Sequence, residues 1–400
     1  MTNEILHISE TIKKSKKVIY IEGIRGMAAF MVVIHHYLLA FYPAQASGVA
    51  SNAHFGSLEL FYHKSPFIFL TNGQLFVYIF FILSGYVLSK KFFREKNMDY
   101  LVSASVRRFP RLYIPVAFAL ILAYIVLKLS LNFNLEASVI TKSVWLASLE
   151  GNPSVFHFLA KLLFRAMFLG DNSYITVLWT ISIELYGSFL VFSALALTRN
   201  LKNSWFIFIA IFIVLALSQK FEYCAFILGI ILNYTDDFEV KKILHKRFIV
   251  AILLIAGIFL GGFPHIHPLS TPTITGTFYG FLNYALLIKV SGFINAAGAF
   301  LLILAIQQSP NLQRFFSSKA LAFLGNISFS MYLIHAIVIR TFTCFVFIKT
   351  FSTFGYNVSF LVAFIPSIIL IFFLSYYMTN YVDKKSLDIS QSVYKRYFSK

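Results

Sequence analysis

The stretch that decides the fold runs from Ile21 to Tyr42 and reads IEGIRGMAAFMVVIHHYLLAFY. It is long and apolar enough to cross a bilayer as one helix, since a spanning helix needs about 20 apolar residues. Four of its side chains are nevertheless ionisable: Glu22, Arg25, His35 and His36. Charged groups are costly inside hydrocarbon, and those that occur there usually face the interior of a helix bundle. The stretch therefore predicts a spanning helix with a functional polar face.

The spacing of Arg25 and His36 predicts that both lie on one face of this helix. Eleven positions separate them, which corresponds to three turns plus about 20° of rotation and about 16 Å of rise. His35 is turned away by about 100° and is expected to be the lesser partner. The alternative for this helix alone is structural, with an arginine that reaches the headgroups and a histidine that is hydrogen-bonded in the core.

The composition is that of a membrane protein. The chain has 400 residues, of which 58% are hydrophobic and only 12% charged, and its mean hydropathy is +0.76. Soluble domains are nearer a quarter charged. We therefore predict an all-α polytopic membrane protein that is embedded in the lipid bilayer.

The distribution of charge predicts the topology and argues against a nucleic-acid partner. The net charge is +18, but most Lys and Arg residues fall in segments that lie on one side of the membrane if the spans alternate. This positive-inside bias assigns those segments to the cytosol. We predict an integral protein of the plasma (inner) membrane with both termini cytosolic and no nucleic-acid partner.

The apolar runs predict a bundle of about ten transmembrane helices. The second span is expected near 67–89 and the third near 112–131, after a cytosolic basic segment. Residues 132–177 are predicted to be the longest exposed stretch, because they carry Asn, Ser and Gly-Asn-Pro turn signals. Residues 276–291 are predicted to be an interfacial or re-entrant segment. A basic tail over 1–17, one transmembrane domain over 18–382 and a cytosolic tail over 383–400 complete the organisation.

Two motifs near the cytosolic side suggest a ligand site. Arg107, Arg108 and Arg111 lie within five residues, and planar guanidinium groups bind phosphate through two-point contacts. The alternative is that these arginines only provide the stop-transfer charge that flanks a transmembrane helix on its cytosolic side. Ser84 and Tyr86 flank a glycine near the cytosolic end of the second span, where packing between helices is the alternative role.

Two further motifs place polar residues inside later spans. The fourth span is expected near 178–197. Trp179 and Glu184 open it at its external end, and Glu184 is expected to pair with a histidine or arginine of the first span. Ser330, Tyr332 and His335 form a polar stripe on the penultimate span, for which hydrogen bonding between helices is the alternative role. The sequence has no HExxH or CxxC spacing, so we predict no metal site.

Taken in order, the motifs resemble those of the acyltransferase 3 family of integral-membrane acyl-CoA-dependent O-acyltransferases. The resemblance rests on Gly23-Ile24-Arg25-Gly26 with His36, Phe80-Phe81-Ile82-Leu83-Ser84-Gly85-Tyr86, Arg107-Arg108-Phe109-Pro110-Arg111-Leu112, Leu178-Trp179 with Glu184, and Gly325 to His335. The chain departs from the family pattern at His35, where an apolar or aromatic residue is more usual. It also departs at Asp383, where the family often has Glu followed by Pro.

The resemblance implies an acyl group, commonly acetyl, that passes from cytosolic acyl-CoA to a hydroxyl of a carbohydrate or lipid-linked glycan. Acyl-CoA is then a donor substrate and no cofactor stays bound. The implied catalytic residues are His36, Arg25 and Glu184, with His36 as general base or transient acyl carrier. The acyl-CoA-binding and supporting residues are expected to be Arg25, Arg107, Arg108, Arg111, Ser84 and Tyr86, then His35, Trp179, Ser330, Tyr332 and His335. The alternative function is a proton-coupled transporter or flippase, since such proteins also use intramembrane His, Arg and Glu.

Overall fold

The computed structural model describes residues 19–148, 153–236, 243–264, 277–282 and 288–398. Within these ranges the chain folds into helices and contains no β-strand, as the all-α prediction requires. The predicted basic tail over 1–17 lies outside the described residues. So do residues 276 and 283–287 of the predicted interfacial segment over 276–291.

Eleven of the described helices are used below. In chain order they are α1 (Ile19–Phe41), α2 (Gly73–Glu95), α3 (Met98–Lys128), α4 (Trp179–Thr198), α5 (Trp205–Leu217), α6 (Phe221–Ile231), α7 (Arg247–Gly261), α8 (Ser291–Gln308), α9 (Lys319–Val338), α10 (Cys344–Met378) and α11 (Lys384–Tyr397). Two π-helical segments, Ile339–Thr343 and Thr379–Asp383, join α9 to α10 and α10 to α11.

Six helical runs in the described part of the chain are long and apolar enough to cross a membrane. They are α1, α2, α3, α4, α8 and the helical run Lys319–Tyr397, which contains α9 to α11. This run is kinked inside α10 at Gly355, where the backbone leaves helical geometry (φ 69°, ψ 179°). Helices α5, α6 and α7 are apolar but shorter. The structure thus supports an integral membrane protein, whereas the count of about ten spans stays a prediction.

Glycines bring α1 and α9 into backbone contact. A Cβ atom at Gly26 would lie 2.3 Å from the amide nitrogen of Gly325, and one at Gly325 would lie 2.2 Å from the carbonyl oxygen of Glu22. Only hydrogen fits at such separations, and small residues are what allow spanning helices to approach so closely. The close packing sets the register between the two helices and so determines which of their polar residues meet.

Helix α3 begins earlier than the sequence predicted. It starts at Met98, capped by the Asn97 side chain, and not near residue 112. The span was placed too late because Arg107, Arg108 and Arg111 interrupt the apolar run, although charge does not prevent helix formation. A helix of 31 residues is about 46 Å long, so part of it extends beyond the hydrocarbon core.

The stretch over 132–177 was predicted to be exposed, but part of it folds back onto the bundle. It contains the short helices Asn134–Thr141, Val144–Ala147 and Val155–Ala160. The Ser143 hydroxyl donates to the carbonyl of Leu39 at 2.6 Å, which fixes one turn of this segment over the end of α1. At the C-terminus, α11 packs against α3.

Candidate active site

A cavity of about 150 Å³ lies between α1, α2, α3, α4 and α9. Its walls are mainly apolar, with Val77, Phe80, Leu112 and Phe329 among the lining side chains. Its polar lining consists of Arg25, Ser84, Arg108, Arg111, Thr180, Glu184, Ser328 and Tyr332. A mostly apolar pocket with a few convergent polar groups is the usual form of a small-molecule site.

Arg108 and Glu184 form an ion pair in the wall of this cavity. Their side chains are 15% and 14% exposed. Glu184 also accepts a hydrogen bond from the Ser84 hydroxyl at 2.5 Å, while Arg108 Nε donates to the Ser188 hydroxyl at 2.7 Å. The prediction that Glu184 pairs with the first span was therefore wrong. Arg108 lies deeper in the bundle than expected. Because α3 starts 14 residues before the predicted span, Arg108 belongs to the helix and not to a segment that precedes it.

The other two arginines of the cavity are more exposed than Arg108, although Arg111 is also held by several hydrogen bonds. Arg25 lies 3.8 Å from the carboxylate of Glu22, one turn away on α1, and its side chain is 37% exposed. Arg111 pairs with Asp383 and donates to the Ser386 hydroxyl at 2.9 Å. Both guanidinium groups keep exposed surface at the cavity, so they are better placed than Arg108 to receive an anion.

Tyr332 connects the cavity with a pair of histidines. It lines the cavity, and its hydroxyl lies 2.8 Å from the Thr180 hydroxyl and donates to the carbonyl of Val177. Its ring centroid is 5.9 Å from that of His335, one turn further along α9. His335 is fully buried, and its ring centroid is 5.0 Å from that of His36.

The hydrogen bonds of the two histidines indicate their tautomers. His335 Nδ1 lies 3.0 Å from the carbonyl of Met331, and His36 Nδ1 lies 2.9 Å from that of Val32. Because a carbonyl only accepts, both Nδ1 atoms carry the proton when the rings are neutral. His335 Nε2, 3.2 Å from His36 Nδ1, is then the acceptor. Among the described residues, none bonds to Nε2 of His36, which is left with a free lone pair.

Two residues near His36 were not predicted as site residues. Trp145, in the single helical turn Val144–Ala147, stacks obliquely on His36 with ring centroids 5.1 Å apart. The Arg340 guanidinium lies over the same indole, with Cζ 4.6 Å from the ring. Arg340 interrupts an apolar run, which was a signal in the sequence. No sequence signal pointed to Trp145, because its position beside His36 depends on how the segment 132–177 folds back onto the bundle.

Several predicted site residues lie elsewhere. Arg107 donates to the carbonyl of Ser103 in its own helix and does not line the cavity. His35 contacts the carbonyl of Thr71 at 2.6 Å. Tyr86, Trp179 and Ser330 are also absent from the cavity wall. Tyr86 receives a hydrogen bond from Lys90, Trp179 begins α4, and Ser330 receives one from Thr379.

The arrangement provides anion binding and base chemistry at opposite ends of one polar path. Arginines lie at one end of the cavity, and the histidine pair lies beyond Tyr332 at the other. In the described part of the chain, no three His, Cys, Asp or Glu side chains converge as metal ligands would. The Nε2 lone pair of His36 supplies the base or nucleophile chemistry of an imidazole.

Comparison with known proteins gives a family assignment. The model of the acyltransferase 3 family, described as an acyltransferase domain, matches residues 18–379. No curated protein and no solved structure matches the chain. The matched range contains the cavity, the histidine pair and Arg340. The chain therefore belongs to the acyltransferase 3 family and is a membrane acyltransferase.

Proposed function

We propose that this protein is an O-acyltransferase that moves an acyl group, acetyl in the simplest case, from cytosolic acyl-CoA to a hydroxyl of a carbohydrate or glycan acceptor. The observation that carries the proposal is the path from the arginine-lined cavity through Tyr332 to the His335–His36 pair. We place the protein in the plasma membrane with both termini in the cytosol, in agreement with the positive-inside bias of its sequence.

The donor binds with its phosphates near Arg25 and Arg111. These two guanidinium groups retain exposed surface beside the cavity, with side chains 37% and 27% exposed, and charge-assisted hydrogen bonds to phosphate are among the stronger polar contacts. Arg108 is held by Glu184 and Ser188 and acts instead by keeping α3 and α4 in place. The apolar cavity wall then suits the pantetheine arm of the donor.

His36 acts at the far end of the path. Its Nε2 lone pair suits either of two roles, general base or transient acyl carrier. As a base, Nε2 takes the proton of the acceptor hydroxyl while the oxygen of that hydroxyl attacks the thioester carbonyl. The C–S bond breaks, and the CoA thiolate leaves and takes up a proton. His335 holds the His36 ring in the required tautomer through the contact at Nδ1.

Side-chain movement is part of this proposal. His36 does not line the cavity, so the thioester reaches it only when Tyr332 and Phe80, whose ring centroids are 6.2 Å apart, move aside. The closed position of these two rings would keep the thioester away from water until an acceptor arrives.

The test is release of free CoA from acetyl-CoA by membranes that contain equal amounts of wild type or His36→Ala, with crude glycans as acceptor. We expect release by wild type, a loss of about 10²- to 10⁴-fold in the variant, and partial rescue by added imidazole. Equal release from both would exclude His36 from the chemistry. No release from wild type with any acyl length or acceptor would favour the transporter.

Arg107→Ala is the matched control for the donor site. It removes one arginine from the same motif as Arg111→Ala, but within the described residues the hydrogen bond of the Arg107 side chain goes to the carbonyl of Ser103 in its own helix. We expect Arg25→Ala and Arg111→Ala to raise the KM for acetyl-CoA and Arg107→Ala to leave it unchanged. The same KM shift in all three variants would mean that the cavity is not the donor site.

A further inference from the structure

Arg340 is a buried cation whose hydrogen bonds are incomplete. The residue as a whole is only 2% exposed to solvent. Nη2 donates to the carbonyl of Trp145 at 2.9 Å and to the Ser148 hydroxyl at 3.3 Å. Nε and Nη1 are buried and have no hydrogen-bond partner among the described residues. These two atoms carry three of the five N–H groups of a guanidinium.

Nothing described around Arg340 neutralises its charge. The guanidinium contacts the Trp145 ring, the Trp145 carbonyl and the Ser148 hydroxyl, and in the described part of the chain no carboxylate forms an ion pair with it. The buried arginine Arg108, by contrast, has Glu184. An unpaired buried charge costs several kcal/mol, and such a cost is commonly retained at functional sites.

The position of Arg340 relates it to the acceptor rather than to the donor. Tyr332, His335 and Arg340 follow one another along α9 and its π-helical continuation. The cavity adjoins Tyr332, and Arg340 lies five residues beyond His335, about 7–8 Å further along the axis. Trp145 lies between Arg340 and His36 and contacts both. Arg340 is thus separated from the arginine-lined cavity by the histidine pair.

We propose that Arg340 binds an anionic group of the acceptor, a carboxylate or a phosphate, and that the acceptor is an acidic carbohydrate. The inference rests on the proposed acyl transfer to a carbohydrate and names the class of acceptor. The anion accepts from the N–H groups of Nε and Nη1 and neutralises the guanidinium. It thereby holds the acceptor on the side of His36 away from the donor.

Binding requires the turn that covers Arg340 to move. Both acceptors of Nη2, the Trp145 carbonyl and the Ser148 hydroxyl, belong to this turn, and Nε and Nη1 are shielded from solvent. An arriving anion therefore displaces the Trp145 turn at least in part. The indole lies directly on the guanidinium, so its fluorescence reports the event.

The first experiment measures binding without any acyl transfer. The chain has three tryptophans, and Trp179→Phe with Trp205→Phe leaves Trp145 as the only emitter in the purified full-length protein. Glucuronate, glucose 1-phosphate, glucose and the methyl ester of glucuronic acid are each titrated. We expect a saturable change in emission with an anion and none with glucose or the ester. A response to only one of the anions identifies the group that is bound.

Equal responses to glucuronate and its neutral ester, or no response to either anion, would overturn the proposal even if acyl transfer is confirmed. This comparison uses one protein and does not depend on how a variant folds. The response should also disappear in Arg340→Gln. An unchanged response in that variant would show that the anion binds elsewhere.

The second experiment separates acceptor binding from a structural role. Arg340→Gln should raise the KM for an acidic acceptor at least tenfold and leave the KM for acetyl-CoA unchanged, and Arg340→Lys should restore part of the difference. Arg165→Gln removes an arginine that is 48% exposed and paired with Asp171, and it serves as the matched control with no expected change. A lower kcat with both KM values unchanged would assign Arg340 a structural role and contradict the proposal.

Discussion

Nε2 of His335 lies 3.2 Å from Nδ1 of His36, although 299 positions separate the two residues. The contact exists because glycines on α1 and α9 let the two backbones touch. It orients the His36 ring, whose other nitrogen stays free for chemistry. The acyl-transfer proposal therefore depends on a helix interface as much as on the reactive residue.

The first prediction concerns this contact. His335→Ala should lower kcat by about 10- to 100-fold, the effect of losing a hydrogen bond of 1–3 kcal/mol, with the KM for acetyl-CoA unchanged. His335→Gln should recover much of the loss, because its amide oxygen can accept from His36 Nδ1. If both variants lose the same activity, or if KM rises instead, His335 does not position His36.

The second prediction concerns the pair of Arg108 and Glu184. Arg108→Met should destabilise the protein by about 3–5 kcal/mol, because Glu184 would be left buried and unpaired. The double variant Arg108→Met with Glu184→Leu should regain much of that stability. Thermal unfolding of the purified protein gives the comparison. Additive losses in the double variant would contradict a direct pairing.

The third prediction concerns the glycine interface. Gly325→Ala should force α1 and α9 apart, since the new Cβ would lie 2.2 Å from a backbone oxygen that cannot move alone. Activity should fall because His36 and His335 separate. Gly261→Ala is the control, because the three atoms nearest to its Cβ would all belong to the flexible Leu75 side chain, the first at 2.9 Å. Equal activity in both variants would show that the interface tolerates the added methyl group.

The fourth prediction concerns pH and the segment before α4. Burial by itself would raise the pKa of Asp171, but hydrogen bonds from Ser173 and Lys161 and the charge of Lys161 hold it well below its ordinary value. A carboxylate whose pKa is lower in the folded than in the unfolded state stabilises the fold at pH values above its unfolded pKa of about 3.9. This stabilisation is lost as the pH falls from there through the folded pKa. Asp171→Asn should thus lower the melting temperature at pH 7, and the difference from wild type should shrink below about pH 4. A constant difference would show that the charge of Asp171 is not responsible.

The fifth prediction concerns the number of spans. Helices α5 and α6 have 13 and 11 residues, so they are about 20 Å and 17 Å long, short of the 30 Å hydrocarbon core. If both nevertheless cross the membrane, the exposed turn at Gln219 lies outside. Gln219→Cys, in a chain with both native cysteines replaced by alanine, should react with an impermeant maleimide in intact cells. Asn203→Cys should react only after permeabilisation. If Gln219→Cys also reacts only after permeabilisation, α5 and α6 do not cross the membrane, and the predicted number of spans falls by two.

The sequence predicted several spans well. The fourth span was expected near 178–197 and a helix is observed at Trp179–Thr198, because an uninterrupted apolar run marks both ends of such a helix. The motif arginines and His36 were found for a related reason, since ionisable groups stand out in an apolar run. Where charge interrupts the apolar run of a helix, as in α3, hydropathy placed the start too late.

By itself, then, the sequence determined that this chain is a helical membrane protein of the acyltransferase 3 type with a polar face on its first span. Hydropathy and motif order are local properties, and they can be read without knowing any contact. Only the tertiary structure decided which partners the charged residues take: Glu184 pairs with Arg108, His36 with His335, and Trp145 folds back between His36 and Arg340. These contacts join positions that are tens to hundreds of residues apart, and they follow from how the helices pack, which no local pattern encodes.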